Sequence, residues 1–261
     1  QVPLGIGNNS LEPISLSINR DGPYYLIASP DSKLGKTTLI KTWLLSLAQF
    51  YSPETLQFVL VDYHSRSLRQ LANLPHVSKY IAKKQDMQLA LEYLEKIVRE
   101  RESALENAYS LNPEEFDEEA FIRELGYVVI VIDDFETFKS KSPQDPRLGT
   151  CIQNGETLGL RIILAENAAM ISPGADNILK RATRFGCGVL LGGSDFLSLY
   201  NNVKVPYGQK TYNLPAGRGY LINRGQVQLF QSFTYWKSPA DDEKDRGEQI
   251  KQWIEKIKKD S

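Results

Sequence analysis

The sequence predicts an α/β domain in which a mostly parallel β-sheet is flanked by helices. Three observations support this class: nearly continuous apolar runs typical of strands buried on both faces, amphipathic helical patterns between those runs, and short polar turns at the junctions. The chain has 261 residues, enough for one large domain with a substantial core. Because we find no internal repeat and no convincing linker, we expect residues 1–261 to form a single domain.

Local patterns place the elements of the N-terminal half. Residues 2–18 hold short apolar runs between Pro, Gly and Asn turns, which predict a β-hairpin or edge strands laid against the main body. Buried strands are predicted at residues 24–29 and 56–63. Between them, apolar residues at helical spacing predict a helix that begins after Lys36 and ends near Tyr51.

The C-terminal half continues this alternation and closes with a hairpin and a helix. Further strands are predicted at residues 127–132, 161–165 and 188–192, and further helices at residues 86–108, 152–158, 177–185 and 241–259. Residues 219–233 alternate around Arg224-Gly225, which predicts a β-hairpin. The acidic residues 113–124 predict a solvated helix or loop, with an acidic partner site as the alternative.

Composition limits the class of partner. Apolar residues make up 41% of the chain and charged residues 24%, as in ordinary soluble globular proteins. A formal net charge of −1 gives no global positive field that would attract nucleic acid or an anionic membrane. The net charge does not exclude local basic patches. No stretch approaches the roughly 20 apolar residues of a membrane span, and we recognise no signal peptide.

The cysteines and the first residue give two further expectations. Cys151 and Cys187 have no metal-ligand spacing, and His64 and His76 add no zinc pattern, so we expect ordinary buried thiols in a reducing compartment. The chain begins with Gln1 rather than Met, which leads us to expect a fragment or processed product of a longer protein.

Residues 30–38 carry the most informative motif, one residue short of the phosphate-binding loop G-x-x-x-x-G-K-[ST]. The predicted strand before it and helix after it supply the context that this loop needs. Backbone N–H groups at the helix N-terminus can face an anion, Lys36 can reach the terminal phosphates, and the Thr37 hydroxyl can bind magnesium. The alternative is a chance G-K-T at a helix start. We expect ATP with Mg²⁺ to bind at Asp31, Ser32, Lys33, Leu34, Gly35, Lys36, Thr37 and Thr38.

Two residues depart from the usual loop. Pro30 replaces the first glycine, and proline has a fixed φ and no N–H to offer a phosphate. Leu34 stands before Gly35, where a small residue would fit more easily beside a phosphate. Since neither change affects Lys36 or Thr37, we expect nucleotide binding to be retained but altered.

The strand predicted at residues 127–132 ends in two acids. Asp133 matches the acid that holds magnesium in P-loop enzymes together with Thr37, although a carboxylate that caps a loop is the alternative. Asp134 occupies the place of the catalytic glutamate in many ATPases, but its side chain is one methylene shorter. Glu136 is another candidate base. We therefore expect weak or absent ATP hydrolysis.

The ordered set of motifs resembles the FtsK/SpoIIIE-type ATPases over essentially the whole chain. More narrowly, it is similar to the C-terminal ATPase domains of the type VII secretion motor, EccC in actinobacteria and EssC or YukB in firmicutes. The resemblance is carried by the loop together with residues 2–6, 11–13, 59–63, 131–134 and 217–220.

The resemblance implies a RecA-like P-loop NTPase fold in a membrane-anchored chain at the cytoplasmic face of the membrane. It implies partners as well: neighbouring ATPase domains of the same chain, assembly as a homo-hexamer, and export of small WXG100-class proteins. The downstream domains of this family often bind ATP tightly and hydrolyse it poorly, which agrees with Pro30 and Asp134 here. We expect the second or third ATPase domain, and favour the last because a charged helix ends the chain.

Two more residues acquire roles from the resemblance. Asn167 could sense the γ-phosphate, or serve as a turn residue at the end of a strand. Arg218, between two glycines, could contact nucleotide or a neighbouring subunit, or form a simple salt bridge or turn.

Three functions compete. The first is a regulatory or coupling ATPase module of a secretion motor. The second is an active DNA translocase. DNA-translocating relatives usually carry a basic residue soon after the aspartate that corresponds to Asp62, whereas here Asp62 is followed by Tyr63-His64-Ser65-Arg66, so nucleic acid is not an expected partner. The third is a scaffold with a vestigial loop, which the retained Lys36, Thr37 and Asp133 disfavour.

Overall fold

The computed structural model describes residues 2–63, 65–111, 113–141, 146–172, 174, 176–205, 208, 210–238 and 242–260. Within these ranges the strands are β1 (Pro3–Gly7), β2 (Pro13–Ser15), β3 (Tyr24–Ser29), β4 (Leu56–Val61), β5 (Val77–Ile81), β6 (Tyr127–Asp133), β7 (Leu160–Asn167), β8 (Cys187–Leu191), β9 (Arg218–Asn223) and β10 (Gln226–Ser232). The helices are α1 (Lys36–Phe50), α2 (Met87–Leu111), α3 (Glu118–Leu125), α4 (Phe135–Lys141), α5 (Pro146–Gly155), α6 (Asn177–Phe185) and α7 (Glu243–Asp260).

The described strands form one sheet with the order β2-β1-β10-β9-β8-β3-β7-β6-β4-β5. The six strands from β8 to β5 in that order are mutually parallel, and β9, β10, β1 and β2 extend the sheet with antiparallel pairs. This confirms the predicted α/β class, the N-terminal hairpin (β1–β2), the C-terminal hairpin (β9–β10) and the closing helix α7. In the part of the chain that the structure describes, no helix is both long enough and apolar enough to cross a bilayer.

The core lies on both faces of the parallel strands. Every residue of β3 and of β6 is buried, as their uninterrupted apolar runs predict. Helix α1 covers one face of the sheet through Trp43, which is 1% exposed and meets the Tyr25 ring edge-on with 5.3 Å between ring centroids. Burial of one such large side chain stabilises the fold by roughly 1.5–3 kcal/mol, so the helix that follows the loop is firmly fixed to the loop-bearing strand.

The structure corrects several boundaries. The helix expected at residues 152–158 is α5, which begins at Pro146 and ends at Gly155, and Glu156–Leu158 form a 3₁₀ turn. Helix α7 begins at Glu243, whereas Asp241 in the predicted range lies outside the described residues. Within residues 113–124 only the part from Glu118 onward is helical, because the Asp117 carboxylate accepts the Ala120 N–H and caps α3.

The sequence patterns did not predict β5 or α4. Four of the five residues of β5 are only partly buried, since this strand forms the edge of the sheet, and it therefore lacks a continuous apolar run. Helix α4 has seven residues, too few for a periodic apolar face to stand out.

Candidate nucleotide-binding site

The loop between β3 and α1 leads through a short 3₁₀ turn to the N-terminus of α1. The Asp31 carboxylate accepts the Lys33 N–H at 3.0 Å and caps a 3₁₀ turn over Ser32–Leu34. Gly35 then adopts φ +100° and ψ +19°, in the left-handed region that favours glycine, and α1 begins without a side-chain cap. The first N–H groups of α1, including those of Thr37 and Thr38, therefore lie at a positive helix end that attracts phosphate.

The two unusual residues of the loop lie beside the end of β8. A Cβ placed on Gly192, whose φ is +96°, would lie 2.4 Å from Leu34 Cδ1 and 3.3 Å from Pro30 Cδ. The Gly217 N–H donates to the Leu34 carbonyl oxygen at 3.0 Å. Pro30 and Leu34 therefore have a packing role: the neighbouring strand ends support the loop where the usual motif has a flexible glycine.

Lys36 lies at the mouth of the loop. Its ammonium donates to Ser29 Oγ at 2.7 Å and to the Asp31 carbonyl oxygen at 3.4 Å. Burial lowers the pKa of Lys36, and the carboxylates of Glu166 and Asp133 oppose that effect. The hydrogen-bond partners of the ammonium are thus neutral oxygens, which a phosphate oxygen can replace with a charge-assisted bond.

Thr37 and Asp133 meet as the sequence predicts. The Thr37 hydroxyl donates to Asp133 Oδ2 at 2.9 Å and lies 3.2 Å from Oδ1, and Asp133 is 8% exposed. Burial raises the pKa of Asp133, while hydrogen bonds from Ser67 and Thr37 act in the opposite direction. No sequence pattern pointed to Ser67, whose hydroxyl donates to Asp133 Oδ2 at 2.8 Å across 66 residues of chain.

These oxygens fit Mg²⁺. Magnesium prefers hard oxygen ligands and is usually bound through one or two protein groups together with substrate phosphates and water. The described residues, which do not include His64, contain no group of three or more His, Cys, Asp or Glu that could hold a metal without such help. The donors present, Thr37 and Asp133, therefore fit a metal that arrives with a nucleotide.

Asp134 has a structural role in this geometry. Its backbone adopts φ +68°, and its carboxylate accepts the Thr137 N–H at 2.9 Å and the Thr137 hydroxyl at 2.8 Å. These contacts cap the N-terminus of α4. Asp is among the preferred N-cap residues, so Asp134 could have been considered as a cap from the sequence.

Glu166 is a further acid near the site that the sequence analysis left without a role. It is 5% exposed and accepts the N–H groups of Glu136 and Asn167 at 2.5 and 2.6 Å, and burial raises its pKa. Its position could have been anticipated, because it precedes Asn167 at the end of β7, beside the loop-bearing strand.

Asn167 and Arg218 lie next to the loop in different ways. Asn167 pairs in register with Ser29 across β3 and β7, and its side chain accepts the Ala169 N–H at 3.0 Å. Arg218 follows Gly217, whose N–H donates to the Leu34 carbonyl oxygen. The Arg218 guanidinium donates to the Asn8 side chain in the β1–β2 turn. Its buried Nε has no hydrogen-bond partner among the described residues.

A parallel sheet with this loop between β3 and α1, and with an acid at the end of the nearby strand β6, defines a P-loop ATPase fold. The model of the FtsK/SpoIIIE family matches residues 26–145. This part of the chain is therefore similar to the FtsK/SpoIIIE family.

A curated relative that the chain matches is a secretion system protein. The ESX secretion system protein EccC of Thermomonospora curvata is 28% identical over 233 residues, covering 86% of this chain but 16% of that protein. The chain thus spans only 16% of the length of this curated relative.

Two solved structures share the fold. The structure of EssC (ATPases 2 and 3) from Geobacillus thermodenitrificans superimposes with a TM-score of 0.77 at 18% identity, covering 98% of this chain and 48% of that one. T. curvata EccC (ATPases 2 and 3), solved in complex with a signal sequence peptide, gives a TM-score of 0.64 at 24% identity, covering 91% of this chain and 41% of that one.

Proposed function

We propose that this chain is an ATP-binding module of a type VII protein-secretion motor, in which MgATP acts chiefly as a structural and regulatory ligand. The observation that carries the proposal is the convergence of three groups at the start of α1: the Lys36 ammonium, the Thr37 hydroxyl and the Asp133 carboxylate. Lys36 would neutralise the β- and γ-phosphates, and Thr37 and Asp133 would hold the magnesium ion. When bound, the metal supplies charge neutralisation of the triphosphate.

Slow or absent hydrolysis is the second part of the proposal. A general base must reach the proton of the attacking water, and small errors of position cost large factors in rate. The Asp134 carboxylate is engaged by Thr137, and Glu166 is engaged by two backbone N–H groups. Either acid would have to abandon a cap or buried hydrogen bonds to act as a base, which supports binding without efficient turnover.

The proposed partners are those that the resemblance to type VII secretion ATPases implies. We propose that the module sits in a longer, membrane-anchored chain on the cytoplasmic face of the membrane, beside other ATPase domains of that chain. Its assembly would be a homo-hexamer and its exported partner a WXG100-class protein. The similarity to a secretion ATPase solved with a signal sequence peptide supports a protein rather than a nucleic acid as the transported partner.

Isothermal titration calorimetry with ATP and Mg²⁺ tests the binding site. Lys36→Ala removes charge-assisted hydrogen bonds worth about 1.5–3 kcal/mol, so we expect the Kd to rise by about ten- to a hundredfold. Lys96→Ala is the control, because Lys96 is an exposed lysine of α2 that lies outside the loop. Equal ATP affinity of the wild type and Lys36→Ala would contradict the proposed site.

A phosphate-release assay tests the second part. We expect turnover far below the roughly 10 per second that is typical of enzymes. A wild-type rate of that order, abolished by Asp134→Asn, would show that Asp134 is a working catalytic base and would refute a mainly structural role of ATP.

A further inference from the structure

Ser67 contacts the candidate magnesium site but belongs neither to the loop motif nor to the strand β6 that ends in Asp133. It lies between β4 and the 3₁₀ helix Arg69–Asn73, and its hydroxyl donates to Asp133 Oδ2 at 2.8 Å. The two contacts from Thr37 to the same carboxylate measure 2.9 and 3.2 Å. We infer that Ser67 is a positioning residue for magnesium, holding the Asp133 carboxylate in the orientation that the ion requires; this rests on the proposed function.

The segment that carries Ser67 is fixed from its other side. Asp62 follows β4 and is 1% exposed. Its Oδ2 accepts two hydrogen bonds, from the Leu68 N–H at 2.8 Å and from the Tyr80 hydroxyl at 3.2 Å. Leu68 itself is fully buried. Because the residue after Ser67 is anchored by a buried carboxylate and by packing, the Ser67 hydroxyl reaches Asp133 from a preorganised segment.

The Ser67 hydroxyl gives Asp133 a second hydrogen-bond donor beside Thr37, and there is a chemical reason for needing two. Thr37 would have to serve two groups when a metal is bound, since its oxygen faces the ion while its proton is shared with the carboxylate. Among the described residues, the Ser67 hydroxyl donates to Asp133 alone. It can therefore hold Asp133 Oδ2 in place both with and without a bound metal. Groups that orient a ligating carboxylate in this way typically change metal affinity by about 10–100-fold when they are removed.

The competing explanation is that Ser67 merely satisfies a buried carboxylate. In that case Ser67→Ala would lower the stability of the folded chain with and without ligand alike, because an acceptor on Asp133 would lose its donor. A positioning role predicts, in addition, a change in the dependence on magnesium. The two roles therefore separate in a measurement that varies the metal and holds ATP fixed.

The experiment follows the melting temperature of the ATP-saturated chain as Mg²⁺ is added, and records the Mg²⁺ concentration that gives half of the maximal stabilisation. We expect this concentration to rise about tenfold in Ser67→Ala, and to return close to the wild-type value in Ser67→Thr, which keeps the hydroxyl. Ser110→Ala is the control, since Ser110 is an exposed serine whose hydroxyl donates to the Glu106 carbonyl oxygen of its own helix. Calorimetry in EDTA should give the same ATP affinity for all four proteins.

Three results would overturn the inference. In the first, Ser67→Ala has the magnesium midpoint of the wild type; in the second, its ATP affinity falls equally with and without metal, which indicates a purely structural role. In the third, Ser67→Thr behaves like Ser67→Ala, so that the hydroxyl is irrelevant. A wild type that ATP fails to stabilise at any Mg²⁺ concentration would instead refute the proposed function, and this inference with it.

Discussion

Gly192→Ala should disturb the phosphate loop through a residue that lies outside it. Two costs can be read from the structure. Alanine at φ +96° costs about 1–2 kcal/mol of backbone strain. The new Cβ would also lie 2.4 Å from Leu34 Cδ1, and overpacking of this kind typically costs about 1–3 kcal/mol. We therefore expect the free energy of unfolding to fall by about 2–5 kcal/mol, from the sum of these terms.

Gly208→Ala separates the two costs. Gly208 has φ +80°, and a Cβ added there would meet no atom of the described residues within 4 Å, so its substitution should cost only the backbone strain of about 1–2 kcal/mol. Urea denaturation measures both variants, and calorimetry with MgATP measures the effect on the site. Because Leu34 must move in Gly192→Ala, we expect weaker ATP binding in that variant alone. Equal stability losses in the two variants, with unchanged ATP affinity, would refute the argument that Gly192 supports the loop.

Two further predictions concern stability. His76 is buried against Phe58, and burial lowers its pKa, so its folded pKa lies below its unfolded value of about 6.5. Its contribution to stability is therefore complete above that unfolded value and is lost as the pH falls toward the folded pKa; His76→Gln should flatten urea-derived stability over this range. Asp134→Ala should lower the free energy of unfolding by about 1 kcal/mol through loss of the α4 cap, whereas Asp134→Asn keeps an acceptor for the Thr137 N–H and should stay near wild type.

Each of these has a clear contrary result. A wild-type stability that does not decline below neutral pH, or that declines equally in His76→Gln, would contradict the role of the imidazole. If Asp134→Asn is destabilised as much as Asp134→Ala in the same urea titration, the cap at Thr137 does not account for the effect.

The parts of the fold that the sequence predicted are those with strong local signals. The strands β3 and β6 have uninterrupted apolar runs because both of their faces are covered. Thr37 and Asp133 could be placed together because one lies in the first turn of the helix after a parallel strand and the other ends a nearby parallel strand, and such ends meet at one edge of the sheet.

The parts that the sequence did not predict depend on long-range contacts. Ser67 lies in a polar turn whose sequence carries no recognisable motif. Its hydrogen bond to Asp133 joins segments 66 residues apart. The packing of Pro30 and Leu34 beside Gly192 likewise depends on the position of β8, so in the sequence these residues appear only as departures from a motif. The edge strand β5 was missed because its partial exposure removes the continuous apolar pattern.

A crystal structure grown with ATP and Mg²⁺ would show whether the loop between β3 and α1 binds the nucleotide. We predict that the Lys36 ammonium leaves Ser29 Oγ and the Asp31 carbonyl oxygen to bind the β- and γ-phosphates, with a magnesium ion between the triphosphate and the Thr37–Asp133 pair. Crystals from saturating nucleotide in which Lys36 still bonds to Ser29, with no triphosphate at the start of α1, would contradict it.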